Sequence, residues 1–318
     1  MRITLRGVRG SLPSPMGSDE YQQKLATIIA TALEKSKKED NFDIPAFIRT
    51  LPKNLKYNIG GNTTCVEVQS DSGKIYILDA GTGIRALGDE LMASEFGKGQ
   101  GEISLFFTHT HWDHIHGLPF FKPVYIPGNK VHFYSILDDL QERLAYQTDF
   151  RFFPAPFNDT ASTKNFIKLE IDKSYELEPG LSVRTIPLKH PGGCVAYRFT
   201  NERGSFIFAT DVEFTGDYLE DLNTSTDFFN DADLIVLDAQ YTLDESFQKF
   251  DWGHTSFTMA VNCALKWRTR HMVLTHHEPA YSDETLMENY REAVKHRNSM
   301  GKSWPRLHIA REGARFKI

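Results

Sequence analysis

The amino-acid sequence predicts an α/β fold in a single domain, and three observations carry that expectation. Short β-branched and aromatic runs recur along most of the chain, helical periodicity appears between some of them, and nothing divides the 318 residues into separable parts. There is no fixed-period repeat, no low-complexity tract and no Pro/Gly/Ser-rich linker. Two average domains would fit this length, but one large α/β domain is equally ordinary, and 40% apolar residues suffice for a core.

The elements follow in order. RITLRGV alternates apolar and polar residues as a half-buried strand does. Residues 13–57 are polar and helical, with periodicity over 19–38 that places Tyr21, Leu25, Ile28, Ile29 and Leu33 on one apolar face. That face must be covered by its own domain, by a second copy, or by serving as a lid, and the homodimer is the preferred reading. CVEVQS and KIYILD read as strands, residues 84–92 as a helix, then ISLFF and KVHFY as strands. Residues 137–178 start as a helix over 137–146 and carry the aromatic stretch DFRFFPAPF. LSVRTIP, VAYRF, SFIFAT and DLIVLD are four more strands; a helix over 256–267, the strand HMVLT and a helix over 284–296 complete the series. Segments 13–57 and 137–178 read as insertions.

Composition narrows the classes. The formal net charge of −6 and pI near 6.1 give no field of the kind that drives broad nucleic-acid binding, so no stable nucleic-acid partner is expected, though a local basic patch remains open. MRITLRGVRG has no apolar stretch behind its charges, so it does not read as a signal peptide, and no run approaches 18 apolar residues, so no membrane contact is expected. Cys65, Cys194 and Cys263 form no CxxC pair and leave an odd thiol, which points to a reducing compartment, the cytoplasm.

The chemistry concentrates in THTHWDH, residues 108–114, directly behind ISLFF. His109 and His111 stand at i and i+2 in extended backbone, so their side chains point to one side and can reach one ion. Asp113 and His114 follow as the chain turns. Imidazole and carboxylate donors suit Zn²⁺, Mn²⁺ or Fe²⁺ better than Mg²⁺ or Ca²⁺. With 12 histidines in the chain, such a cluster arises by chance in roughly one chain of this composition in a thousand, so a histidine-rich surface loop is a poor account of it.

HxHxDH resembles the signature of the metallo-β-lactamase superfamily. That resemblance demands three further strand-end residues in order, and TIPLKHPGG supplies His190, SFIFATDVE supplies Asp211 and HMVLTHHEP supplies His276. It implies one metal ion held by His109, His111 and His190 and a second by Asp113, His114 and His276, with Asp211 bridging. The ions implied are two divalent transition metals, zinc first, with manganese or iron as alternatives. His277 competes for the last position, but His276 lies nearer the strand end. The implied fold is the four-layer αβ/βα sandwich, metals at one edge. Asp79, in ILDAGTG, matches an aspartate that orients the HxHxDH loop, and the GTG behind it lacks the third glycine of a dinucleotide fingerprint.

Within that superfamily the chain looks like the phosphodiesterase branch, with the tRNA 3′-processing endonucleases and the cyclic-phosphate phosphodiesterases, from RGVRGSLPSP through YNIGGNTTCVEV to LTHHEP. WGHTSF matches the branch's Gly-His-Ser/Thr element: His254 precedes N-cap residues of a helix and is placed to protonate a leaving oxygen. Asp238, in LDAQYT, matches the residue that supports this histidine. His254, Asp113 and Asp238 are thus the expected catalytic residues. The tRNA-processing enzymes carry a protruding arm between the third histidine and the bridging aspartate, where only PGGCVAYRFTNERGSFIFA stands here. The expected substrate is a small cyclic nucleotide or cyclic phosphate, with RNA processing or thioester hydrolysis as alternatives. Phe150, Phe152, Phe153 and Phe157 either stack a base or plug their segment onto the core.

Overall fold

The computed structural model describes residues 1–39 and 41–318. Two seven-stranded sheets face each other. The first contains β1 (Arg2–Gly7), β2 (Cys65–Gln69), β3 (Ile75–Leu78), β4 (Glu102–Phe106), β5 (Lys130–Ser135) and β6 (Thr163–Lys168). The second contains β7 (Ser174–Glu178), β8 (Leu181–Leu188), β9 (Cys194–Asn201), β10 (Gly204–Ala209), β11 (Leu234–Asp238), β12 (His271–Thr275) and β13 (Arg306–Ile309), and β14 (Arg315–Lys317) returns to the first. The orders are β14-β1-β2-β3-β4-β5-β6 and β13-β12-β11-β10-β9-β8-β7.

Each of the ten quoted runs is a strand. The four strands that periodicity did not reveal lie at or next to sheet edges. β6 and β7 are mostly polar because only one side of each meets the core, and β14 has three residues. β6 and β7 also give segment 137–178 its place: it supplies an end strand to each sheet.

Period-two alternation sorts side chains between two cores. Leu5, Val66, Leu78 and Phe106 point between the sheets, where the Phe106 ring lies 5.4 Å from Tyr197 and 5.5 Å from Phe199. Ile77, Leu105 and Phe133 point outward and pack with Ile84 and Leu87 of a helix. Burying each such side chain contributes about 1.5–3 kcal/mol.

The helices are α1 (Ser18–Ser36), α2 (Ile44–Thr50), α3 (Lys53–Lys56), α4 (Gly83–Leu91), α5 (Trp112–Ile115), α6 (Leu140–Gln147), α7 (Gly216–Ser225), α8 (Leu243–Gln248), α9 (Phe257–Lys266) and α10 (Asp283–Ser299). α4 covers the first sheet, and α9 and α10 cover the second, which gives the four-layer αβ/βα sandwich. No helix among the described residues is long and apolar enough to cross a membrane.

α1 stands apart, since none of its residues is buried and Tyr21, Leu25, Ile29 and Leu33 are exposed. It is tethered through polar contacts to the start of α10: Glu20 accepts the Asp283 N–H, and Lys24 reaches the Asp283 carboxylate at 3.3 Å. The connectivity sets up the site. β3, β4 and β5 run parallel, as do β10, β11, β12 and β13, and in such sheets functional groups gather where the strands end.

Candidate metal centre

The donor residues sit on the loops that leave this edge. His109 and His111 follow β4, His190 follows β8, Asp211 follows β10 and His276 follows β12. Asp113 and His114 lie on the single turn of α5. Asp79, Asp211 and His276 have φ of 58°, 56° and 60°, a left-handed conformation that costs a residue with a Cβ about 1–2 kcal/mol. Three strands thus end in the same sharp turn, which swings each side chain back over the sheet edge. Such strain persists where the surroundings enforce it.

Two groups of donor atoms result, each within 4.8 Å: His109, His111, His190 and Asp211, and Asp113, His114, Asp211 and His276. Asp211 belongs to both, one oxygen facing each way. Its Oδ2 lies 3.6 Å from His109 Nε2 and 3.7 Å from His190 Nε2, whereas Oδ1 lies 3.1 Å from both His114 Nε2 and His276 Nε2. Asp113 Oδ2 lies 3.2 Å from His114 Nε2 and 3.1 Å from His276 Nε2.

Hydrogen bonds fix which nitrogen of three of the rings faces inward. His114 Nδ1–H donates to Asp79 Oδ2 at 2.8 Å, His190 Nδ1–H to the Gly253 carbonyl at 2.9 Å, and His109 Nδ1 is 3.0 Å from Thr108 Oγ1. The Nε2 atoms therefore converge, and those of His109 and His114 are buried with no hydrogen-bond partner. Orphaned, convergent imidazole nitrogens beside ionised carboxylates are what a divalent cation satisfies, with outer nitrogens held as metal-ligand histidines usually are. Close approach needs glycine in two places. A Cβ on Gly10 would fall 2.4 Å from His276 Nδ1, and one on Gly253, at φ 87°, would fall 2.2 Å from His190 Nδ1.

The charges are those of a site built for a cation. Burial, then the neighbouring charge on His114, pushes His109 well down. Burial opposes protonation of His114 too, but Asp113, Asp211 and Asp79 outweigh it and hold it well up. Asp113 and Asp211 are well below the ordinary carboxylate range: burial opposes this, and the imidazoles, His114 first, prevail.

Asp79 is fully enclosed and does what the resemblance implied in orienting the loop, accepting from the Thr108 N–H, the Thr108 hydroxyl and His114, each at 2.8 Å. His254 Nδ1–H donates to Asp238 Oδ2 at 2.8 Å, and its ring stacks on His276 with centroids 4.9 Å apart. Asp238 is buried and also accepts the backbone N–H groups of Val212 and Gln240 at 3.1 Å. Asp238, His254 and His276 likewise bring donor atoms within 4.8 Å. The cavity over the donors, about 440 Å³, is lined by Ser11, Thr110, His111, Trp112, Asp113, Asp211 and His254.

His277, the competitor for the last position, turns away and bonds the Ala310 carbonyl at 3.0 Å. Cys194 joins neither group; all three thiols are free and buried, and burial pushes them up. The phenylalanines divide: Phe157 is buried against Phe133 and Phe166, Phe153 meets Phe120, and Phe150 and Phe152 are exposed. Sequence reasoning missed Ser11, at φ 58°, whose N–H donates to Asp113 Oδ2 at 2.8 Å, and Thr108, which links Asp79 to His109. The RGS of RGVRGSLPSP carried the only local signal for Ser11.

The β-lactamase superfamily domain matches residues 75–277. Ribonuclease Z of Clostridium perfringens is 23% identical over 72% of this chain and 87% of its own. Among solved structures, human tRNase Z, short form, superposes with a TM-score of 0.59 at 16% identity over 100% of this chain and 99% of its own. A diphosphatase of the PhnP family gives 0.59 at 18% over 100% and 97%. These likenesses share the fold described above, and the family match spans the strands and loops that carry every donor residue named here. The chain belongs to the β-lactamase superfamily, and it is a metal-dependent hydrolase of that family.

Proposed function

We propose that the protein is a dinuclear-metal-dependent phosphodiesterase acting on a small cyclic nucleotide or cyclic phosphate. His109, His111 and His190 would hold one ion and Asp113, His114 and His276 the other, with Asp211 between them. Zinc suits this set best, with manganese or iron as alternatives. Ions bound there supply positive charge that stabilises phosphate oxygens and makes water a better nucleophile.

The observation that carries the reading is the His254–Asp238 pair at the rim of the cavity. Asp238 is the positioning residue: its buried carboxylate accepts the Nδ1–H, which fixes the tautomer and the ring's orientation. Nε2 is left for the pocket that His254 lines, where a protonated nitrogen donates to the departing oxygen as the P–O bond breaks. The Ser11 N–H holds Asp113 through Oδ2, the same oxygen that faces His114 and His276.

Substrate size rests on two features. His190 and Asp211 are joined by the β9–β10 hairpin alone, which leaves no protruding arm for a large RNA, and the net charge is −6. The likeness to ribonuclease Z supports RNA processing as a second reading. We place the protein in the cytoplasm on its three free thiols, and assign the exposed apolar face of α1 to contact with a second copy.

The test is a turnover screen of the metal-loaded protein on cyclic nucleotides, bis(p-nitrophenyl) phosphate, short RNAs with a 3′ extension, and thioesters. Preferential hydrolysis of cyclic substrates supports the reading. Preference for RNA moves it to the second, and turnover of thioesters alone overturns both.

A further inference from the structure

Away from the metal centre, a groove of about 1000 Å³ lies at the opposite end of the same strands. His271 and Leu234, which line it, open β12 and β11, whereas His276 and Asp238 lie at the far ends. At about 3.3 Å per residue, roughly 16 Å of strand separates groove from donors. Its walls come from α3, α10, β13 and β14.

Eight cationic side chains line this groove against two carboxylate side chains, Asp233 and Asp283, in a chain that is acidic as a whole. Arg203 and Arg270 are paired, with Asp71 at 3.4 Å and Asp233 at 2.7 Å. Among the described residues, Lys53, Arg297, Arg306, Arg311, Arg315 and Lys317 have no carboxylate partner in salt-bridge range. Asp283 is engaged elsewhere, by Lys24, Arg9 and the Ile59 N–H. The cations act on what lies between them: burial first, then His271, Lys53 and Arg306, pushes His308 down to about 4. Concentrating like charge in a concave surface costs stability that a bound anion recovers.

We infer that this groove is a second ligand site, for a small anion carrying several phosphates, either a nucleoside polyphosphate or a free polyphosphate. Six of the eight cations are arginines, whose planar forks match phosphate oxygens two at a time. The volume is at the upper end for small-molecule sites, so a single phosphate would leave most of it unfilled. Aromatic faces adjoin the charges: the Arg311 guanidinium lies 4.1 Å from the Tyr57 ring centroid, and Phe316 meets His308 edge-on at 5.2 Å. The site is independent of the reading of the metal centre.

The test is calorimetric titration of the metal-loaded full chain with tripolyphosphate and with a nucleoside triphosphate, on wild type and on Arg306→Glu/Arg315→Glu. Chelation of the bound metals is common to both proteins, so their difference reports the groove. Both positions are exposed ends of edge elements, and metal content and circular dichroism should not change. Should that variant misfold, Arg315→Ala/Lys317→Ala repeats the test more gently. The expected result is one-to-one binding that weakens at least about tenfold in the variant. Tighter binding of the nucleotide identifies a nucleotide site, and equal binding identifies polyphosphate alone. Indistinguishable titrations of wild type and variant overturn the proposal.

Discussion

Gly253→Ala tests whether the loop before α9 controls a metal ligand it does not itself supply. The new Cβ would stand 2.2 Å from His190 Nδ1 and 2.4 Å from Pro191 Cδ. Carbon and nitrogen in van der Waals contact need about 3.5 Å, so the imidazole must retreat by more than about 1 Å or the loop must move. The loop is constrained, because the Gly253 N–H donates to Glu213 at 3.1 Å and its carbonyl accepts from His190 at 2.9 Å. At φ 87° the alanine also carries about 1–2 kcal/mol of backbone strain. Metal–nitrogen distances tolerate about 0.2 Å, so either movement spoils the His109, His111 and His190 group. Affinity there should fall roughly 10- to 100-fold, as on losing an outer-sphere partner, with less effect at Asp113, His114 and His276. Competition with a calibrated chelator reads both affinities. Gly216→Ala is the control, since a Cβ there meets nothing within 4 Å. Wild-type affinity at both positions in Gly253→Ala would refute the reasoning.

Other outcomes follow from the same geometry. Asp211→Ala should lose at least one metal ion per chain by elemental analysis, because its two oxygens face both donor groups; full occupancy removes the bridging role. His254→Ala should keep its metals and lower kcat by roughly 100- to 10,000-fold on an alkoxide ester, the usual worth of a positioned general acid, and by less on a p-nitrophenyl ester; loss of metal would instead make His254 a ligand. His308 should titrate near pH 4 by NMR, whereas an unfolded histidine titrates near 6.5. Between those values the unfolded chain binds the extra proton, so stability falls as pH drops from 6.5 to 4, and His308→Asn should flatten that part of the profile. Light scattering at micromolar concentration should show a dimer that Leu25→Glu/Ile29→Glu dissociates; a strict monomer rules out contact through α1.

The sequence by itself determined the class of fold and the chemistry. Buried strands such as KIYILD and DLIVLD announce themselves because both faces are covered, and HxHxDH is legible because its donors are neighbours in sequence. The edge strand Thr163–Lys168 stayed hidden because none of its residues is fully buried, so little apolar alternation is required of it. His190, Asp211 and His276 could be named from sequence only through a resemblance, since nothing local distinguishes a strand-end histidine that meets other donors from one that does not. His276 and His277 show the limit: adjacent and both buried, they differ because a left-handed turn at His276 sends one ring to Asp113 and the other to the Ala310 carbonyl. The basic groove lay wholly beyond reach of the chain's order. Lys53, Arg203, Arg306 and Arg315 are scattered through an acidic sequence, and only the meeting of α3, α10, β13 and β14 collects their charge in one concave surface. Local pattern records what each segment must bury, and the closing of the two sheets decides which distant segments share a field.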